Sequence, residues 1–90
     1  MAKVEITCAL LDEIKKKFKS ESHEIVDLME SLEENPKKGK PVGQVGGIVI
    51  KELKYKGFRF YFMTDGFKLK VLSIQELHDL LIKFVRMSDK

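Results

Sequence analysis

Lys51, Lys54, Arg59, Tyr61, Lys68 and Lys70 are the residues of this chain whose types could act on a nucleic-acid phosphate. Arginine presents a rigid, permanently charged fork that matches phosphate oxygens, and tyrosine can stack a base or transfer a proton. A lysine crowded by like charges has a lowered pKa, which qualifies it as a base toward a ribose 2′-hydroxyl. Cleavage of RNA without a metal needs one group to remove the 2′ proton and a cation to stabilise the charge that builds on the phosphoryl oxygens. A third group must protonate the departing 5′ oxygen, and the sequence offers no clear candidate for it. Arg59, with Lys51 or Lys54, forms the candidate catalytic set. Lys56, Tyr61, Lys68, Lys70 and Lys40 form the candidate RNA-binding set, extended by Lys37 and Lys38.

The charge distribution favours a polyanion as partner. Residues 1–35 carry five basic and nine acidic side chains, whereas residues 36–70 carry nine basic and only two acidic. The central segment is therefore not a neutral mosaic of ion pairs. Other chemistries lack their residues. His23 and His78 have no metal-ligand neighbours at useful spacing, and Gly39-Lys40 lacks the upstream glycine and following Ser/Thr of a phosphate-binding loop. No nucleophile elbow occurs, and Cys8 at a helix start reads as a small buried hydrophobe. No metal or cofactor is expected. One cysteine closes no internal disulfide. No apolar run reaches the roughly 18 residues of a membrane span, and the N-terminus lacks the order of a signal peptide. A reducing, cytoplasmic setting is the expectation.

Ninety residues support one hydrophobic core, hence one domain spanning residues 1–90. Val4 and Ile6 alternate with Lys3 and Glu5, which predicts a short strand over residues 3–7. Leu10, Leu11, Ile14 and Phe18 recur at helical spacing, and Ile25, Leu28, Met29 and Leu32 repeat the pattern after Ser20-Glu21-Ser22. Ser22 is the expected N-cap of the second helix, and Asn35-Pro36 its end. Residues 36–47, with both prolines and four of the six glycines, predict a loop. Strand-like runs follow at 48–54, 58–64 and 67–74. Asp65-Gly66 between the last two predicts a two-residue hairpin turn pairing Thr64 with Phe67, Phe62 with Leu69 and Phe60 with Val71.

That register places Phe58, Phe60 and Phe62 on one face and Arg59, Tyr61 and Met63 on the other, beside Lys68 and Lys70. A three-residue loop with Gly57 left-handed would set Lys51 opposite Tyr61 on the same basic face, with Ile48 and Ile50 beside the phenylalanines. A four-residue loop would reverse the faces, and the three-residue one is preferred. Ser73 and Glu76 have capping-box spacing, so a C-terminal helix over residues 75–87 is expected, with a strand over 80–87 as the alternative.

Lys56-Gly57-Phe58-Arg59-Phe60-Tyr61 resembles the Gly-Tyr-Arg-hydrophobic-Tyr stretch of the RelE/ParE toxin superfamily, and Asn35-Pro36 with Gly39-Lys40-Pro41 resembles the loop before that family's second strand. The resemblance covers most of the chain. It implies an α+β fold in which an N-terminal helical hairpin packs on an antiparallel four-stranded sheet. For function it implies a toxin of a toxin–antitoxin pair, a ribosome-dependent, metal-independent mRNA endonuclease (an mRNA interferase) that inhibits translation. Its partners would be a cognate antitoxin, the ribosome and mRNA. By the same resemblance Arg59 contacts phosphate, and Lys51 or Lys54 occupies the position of the family's lysines. The family's arginine after the last strand is missing from Gln75-Glu76-Leu77-His78. His78 can stand in as an acid, or, if the tail is a strand, Arg86 and Lys90 can replace the arginine. ParE-like relatives inhibit gyrase instead, and a non-enzymatic protein that retains only antitoxin or RNA binding is the alternative.

Overall fold

The computed structural model describes residues 2–89 and is α+β. The elements run β1 (Lys3–Ile6), α1 (Cys8–Phe18), α2 (Ser22–Glu30), β2 (Lys40–Val45), β3 (Ile48–Tyr55), β4 (Phe58–Asp65), α3 (Gly66–Val71) and β5 (Leu81–Asp89), with short 3-10 turns between several of them. One five-stranded sheet has the order β1-β5-β4-β3-β2; β1 runs parallel to β5, and the other neighbours are antiparallel.

The helical hairpin forms where the apolar spacing predicts it. Thr7 caps α1, its hydroxyl accepting from the Leu10 amide at 3.3 Å. Lys15, Lys16 and Lys17 occupy the last turn, where cations oppose the negative end of the helix dipole. Ser22 is not the cap of α2; it is the first helical residue, and Glu21 precedes it without a capping side-chain bond. Leu10 and Ile14 of α1 and Ile25 and Met29 of α2 are buried against Phe60, Phe62, Ile82 and Phe84 of the sheet. Phe18 closes this core edge-on, its ring 4.8 Å from that of Phe58. Cys8 is exposed rather than buried, because the inward stripe of α1 starts at Leu10.

Four expectations about strands and turns are corrected as well. First, residues 36–47 are not all loop: β2 lies within them as an edge strand, so the sheet has five strands and is mixed. Pro41 is tolerated because an edge strand need not donate along its outer side, and Gly43, the one glycine of β2, falls at an irregularity in the pairing with β3. Second, Asp65-Gly66 is a helix start and not a hairpin turn. Asp65 Oδ1 accepts from the Phe67 and Lys68 amides at 3.0 and 3.1 Å, and the Gly66 amide donates to Gly47 O at 2.8 Å. An aspartate before a glycine serves an N-cap as readily as a turn.

Third, the partner of β4 is the C-terminal strand β5, where a helix was expected. Thr64 pairs with Ile82, Phe62 with Phe84 and Phe60 with Met87, across a bulge at Val85. The capping box at Ser73 and Glu76 does form, but it opens only the single 3-10 turn Ile74–Leu77. A strand wins because Ile82 and Phe84 alternate inward beneath the helices, and both are fully buried.

Fourth, β3 and β4 join through a two-residue turn. Lys56 and Gly57 both have positive φ, 47° and 84°, as a type I′ turn requires. Tyr55 therefore pairs with Phe58 and Lys54 with Arg59. Relative to the three-residue loop, β3 is shifted by one residue, and a shift of one exchanges its two faces. Val49, Lys51, Leu53 and Tyr55 share the helix side with the phenylalanines; Ile48, Ile50, Glu52 and Lys54 point the other way.

Gly39 supports this packing from outside the sheet. Its φ is +105°, and a Cβ there would lie 2.8 Å from Phe62 Cζ and 3.3 Å from Glu52 O. Gly39→Ala is expected to destabilise the fold by about 1–3 kcal/mol through overpacking and backbone strain. Urea denaturation would read this as a lowered midpoint; an unchanged midpoint would mean that the segment does not press on Phe62.

Candidate nucleic-acid interface

The face of the sheet turned away from α1 and α2 carries the cations. One row runs straight across four strands: Lys40 of β2 beside Glu52 of β3, then Tyr61 of β4, then Arg86 of β5. The next row holds Lys54, Arg59 and Ser88. Cross-strand partners project to the same side, and with strands ~4.8 Å apart the first row spans roughly 14 Å. Tyr61 is half-buried, and its hydroxyl lies 3.2 Å from Ser88 Oγ. A shallow cavity of about 460 Å³ lies beside this pair, lined by Ile50, Tyr61, Val85, Arg86 and Ser88 among others. Flat apolar surface next to cations is what a base and its phosphate require.

Glu52 stands in the middle of these cations. Its side chain is only 3% exposed, and Arg59 Nε approaches its Oε1 at 3.6 Å, a distance that pairs charges without making a hydrogen bond. Oε1 is buried and has no hydrogen-bond partner among the described residues. A buried acceptor left unmatched is unfavourable. A hydroxyl brought to this oxygen would satisfy it.

The expected residues divide between the two faces. Lys40, Lys54, Arg59 and Tyr61 converge on the open face. Lys56, at the turn, is held by Glu21 of the helical hairpin at 3.2 Å. Glu21 in turn is kept below the usual carboxylate range by the Tyr55 hydroxyl and by Lys56. Lys68 and Lys70 lie on α3, off the sheet, because the predicted hairpin does not form. Lys68 reaches the rim of the open face, lining a cavity with Met63 and Lys83. His78 is exposed beside Asp79. Lys90 lies outside the described residues.

Lys51 projects from the helix side, opposite to Arg59. It is 5% exposed and donates to the Lys37 carbonyl at 2.9 Å. Burial pushes its ammonium below the ordinary 10.5. The unfolded chain keeps that proton to about pH 10.4. Between the depressed native value and the unfolded one, the unfolded state binds more protons, so stability attributable to Lys51 rises with pH in that window. The stability difference between wild type and Lys51→Met is therefore expected to shift in favour of wild type as pH is raised toward ~10. A difference that stays flat in denaturant titrations would contradict a buried ammonium.

Sequence reasoning missed Glu52 as a member of this face and reached Arg86 only through the strand alternative for the tail. Both follow from register: Tyr61 is flanked by Glu52 on one side and Arg86 on the other. Among the described residues, no three His, Cys, Asp or Glu side chains converge as metal ligands, and no helix is long and apolar enough to cross a membrane.

Fold and face together define a class: an α+β domain with helices on one side of a mixed sheet and cations arrayed on the other. No family model, curated protein or solved structure matches the chain.

Proposed function

We propose that this protein is a RelE/ParE-like toxin that cleaves mRNA on the ribosome without a metal, using the open face of its sheet, and that a co-expressed antitoxin restrains it. The observation that carries this reading is the row Lys40, Glu52, Tyr61 and Arg86 with Arg59 and Lys54 alongside. Arg59 and Arg86 hold the scissile phosphate and stabilise the charge that develops on it, and Lys54 and Lys40 steer the backbone. Tyr61 stacks a neighbouring base. As phosphate draws Arg59 toward it, Glu52 Oε1 is freed to accept the 2′-hydroxyl proton. The 2′ oxygen then attacks phosphorus, the bond to the 5′ oxygen breaks, and that oxygen takes a proton from solvent water. Glu52 later returns its own proton to solvent, so the products carry a 2′,3′-cyclic phosphate and a 5′-hydroxyl. Lys51, on the other face, has no part in this step.

A second reading, a non-enzymatic RNA- or antitoxin-binding module, draws on the same carboxylate: Glu52 would simply neutralise Arg59. Glu52→Gln separates the two. For the nuclease, cleavage falls by about 10²–10⁴-fold while RNA binding holds or tightens. For the binding module, RNA binding tightens and wild type cleaves nothing. A DNA-supercoiling assay beside a translation assay tests the gyrase-directed form: inhibition of supercoiling with translation unaffected would replace the nuclease reading.

A further inference from the structure

On the opposite side of β3 from Arg59, the sheet carries a second concavity. It lies between β2, β3 and α3, has a volume of about 580 Å³, and is lined by Lys37, Lys51 and Lys70 with no carboxylate among its lining residues. Val49, Leu69 and Phe67 supply apolar wall, and Phe67 is 69% exposed. We infer that this cavity binds a phosphate monoester carried on a flat, apolar body, a ligand of nucleoside-monophosphate size.

Three features point to that class. An ammonium has three N–H donors, and Lys51 gives one to the Lys37 carbonyl, its one hydrogen bond among the described residues. A nearly buried cation without a counter-charge is unfavourable, and a phosphate would supply both the charge and acceptors for the remaining donors. Burial also lowers the pKa of Lys51, a tendency that an adjacent anion reverses. The volume lies in the range of small-ligand sites, which combine mostly apolar walls with a few convergent polar groups. A large aromatic ring left exposed beside three amines is placed to cover a planar ligand. The Gly66 amide is already bonded to Gly47 O, so α3 and the β2–β3 turn are tied together at the cavity edge.

The site does not depend on the RNA reading, since alternate residues of β3 project to opposite faces. The test uses the full chain, AMP as probe, and amide shifts of Val49, Gly66 and Leu69 recorded by NMR. Saturable shifts at these positions are expected, with affinity lowered at least ~10-fold by Lys51→Met and by Lys70→Ala. Lys70 is exposed, so its replacement tests the site even if the Lys51 variant folds poorly. Arg59→Ala should leave AMP binding unchanged. Adenosine and inorganic phosphate alone should each bind more weakly than AMP. The inference is overturned by an absence of saturable shifts at roughly millimolar AMP, by binding indifferent to both lysine replacements, or by binding lost in Arg59→Ala. Inorganic phosphate binding as tightly as AMP would overturn the assignment of an apolar body.

Discussion

Phe62→Ala is expected to remove about 3–5 kcal/mol of stability, a large part of the ~5–13 kcal/mol typical of a domain this size. Phe62 is fully buried, stacks obliquely on Phe84 with ring centroids 4.8 Å apart, and lies under Gly39. Its ring spans the central strands β4 and β5, so truncation opens a cavity that neither the helices nor the sheet can close. The variant should unfold at markedly lower urea concentration than wild type. Met63 is adjacent in sequence but projects from the open face and is 36% exposed. Met63→Ala should cost less than about 1 kcal/mol. Equal losses at the two positions would contradict the face assignment on which the candidate interface depends.

Arg59→Ala is expected to have the largest functional effect. Removing a cation that stabilises transition-state charge lowers rates by about 10²–10³-fold. Losing one phosphate contact should weaken RNA binding by roughly tenfold and reduce the slope of log affinity against log salt by about one. The substitution has a structural side effect as well, because it leaves Glu52 buried without the guanidinium that faces it at 3.6 Å. A loss of about 1–3 kcal/mol is expected on that account. Adding Glu52→Gln should recover stability without restoring cleavage. A double variant that regains stability and activity together would mean that Arg59 only supports the fold.

The parts of this molecule set by local pattern were legible in its sequence. The apolar spacing of Leu10, Ile14, Ile25 and Met29 located the hairpin, and the alternation of Phe58, Phe60 and Phe62 with Arg59 and Tyr61 assigned both faces of β4. Wherever the outcome depended on which strand pairs with which, the sequence was ambiguous. The segment Phe67–Val71 alternates like a strand, yet Asp65 caps it as a helix. Leu80–Met87 fits either structure on its own, and its pairing with both β1 and β4 decides.

The site was harder still, because one residue of turn length determines which half of β3 faces Arg59. A lysine at the first position of a type I′ turn is a weak signal beside the usual asparagine or aspartate. That single residue exchanges Lys51 for Glu52. With it, the open face changes from an all-cationic surface into a row of cations around one buried carboxylate.

The most direct test of this arrangement is to follow a 5′-labelled mRNA on programmed ribosomes, kept assembled by magnesium, with purified protein. The proposed mechanism predicts cleavage that yields 2′,3′-cyclic phosphate ends with wild type, and intact message with Arg59→Ala or Glu52→Gln. Message left intact by the folded wild-type protein would contradict it.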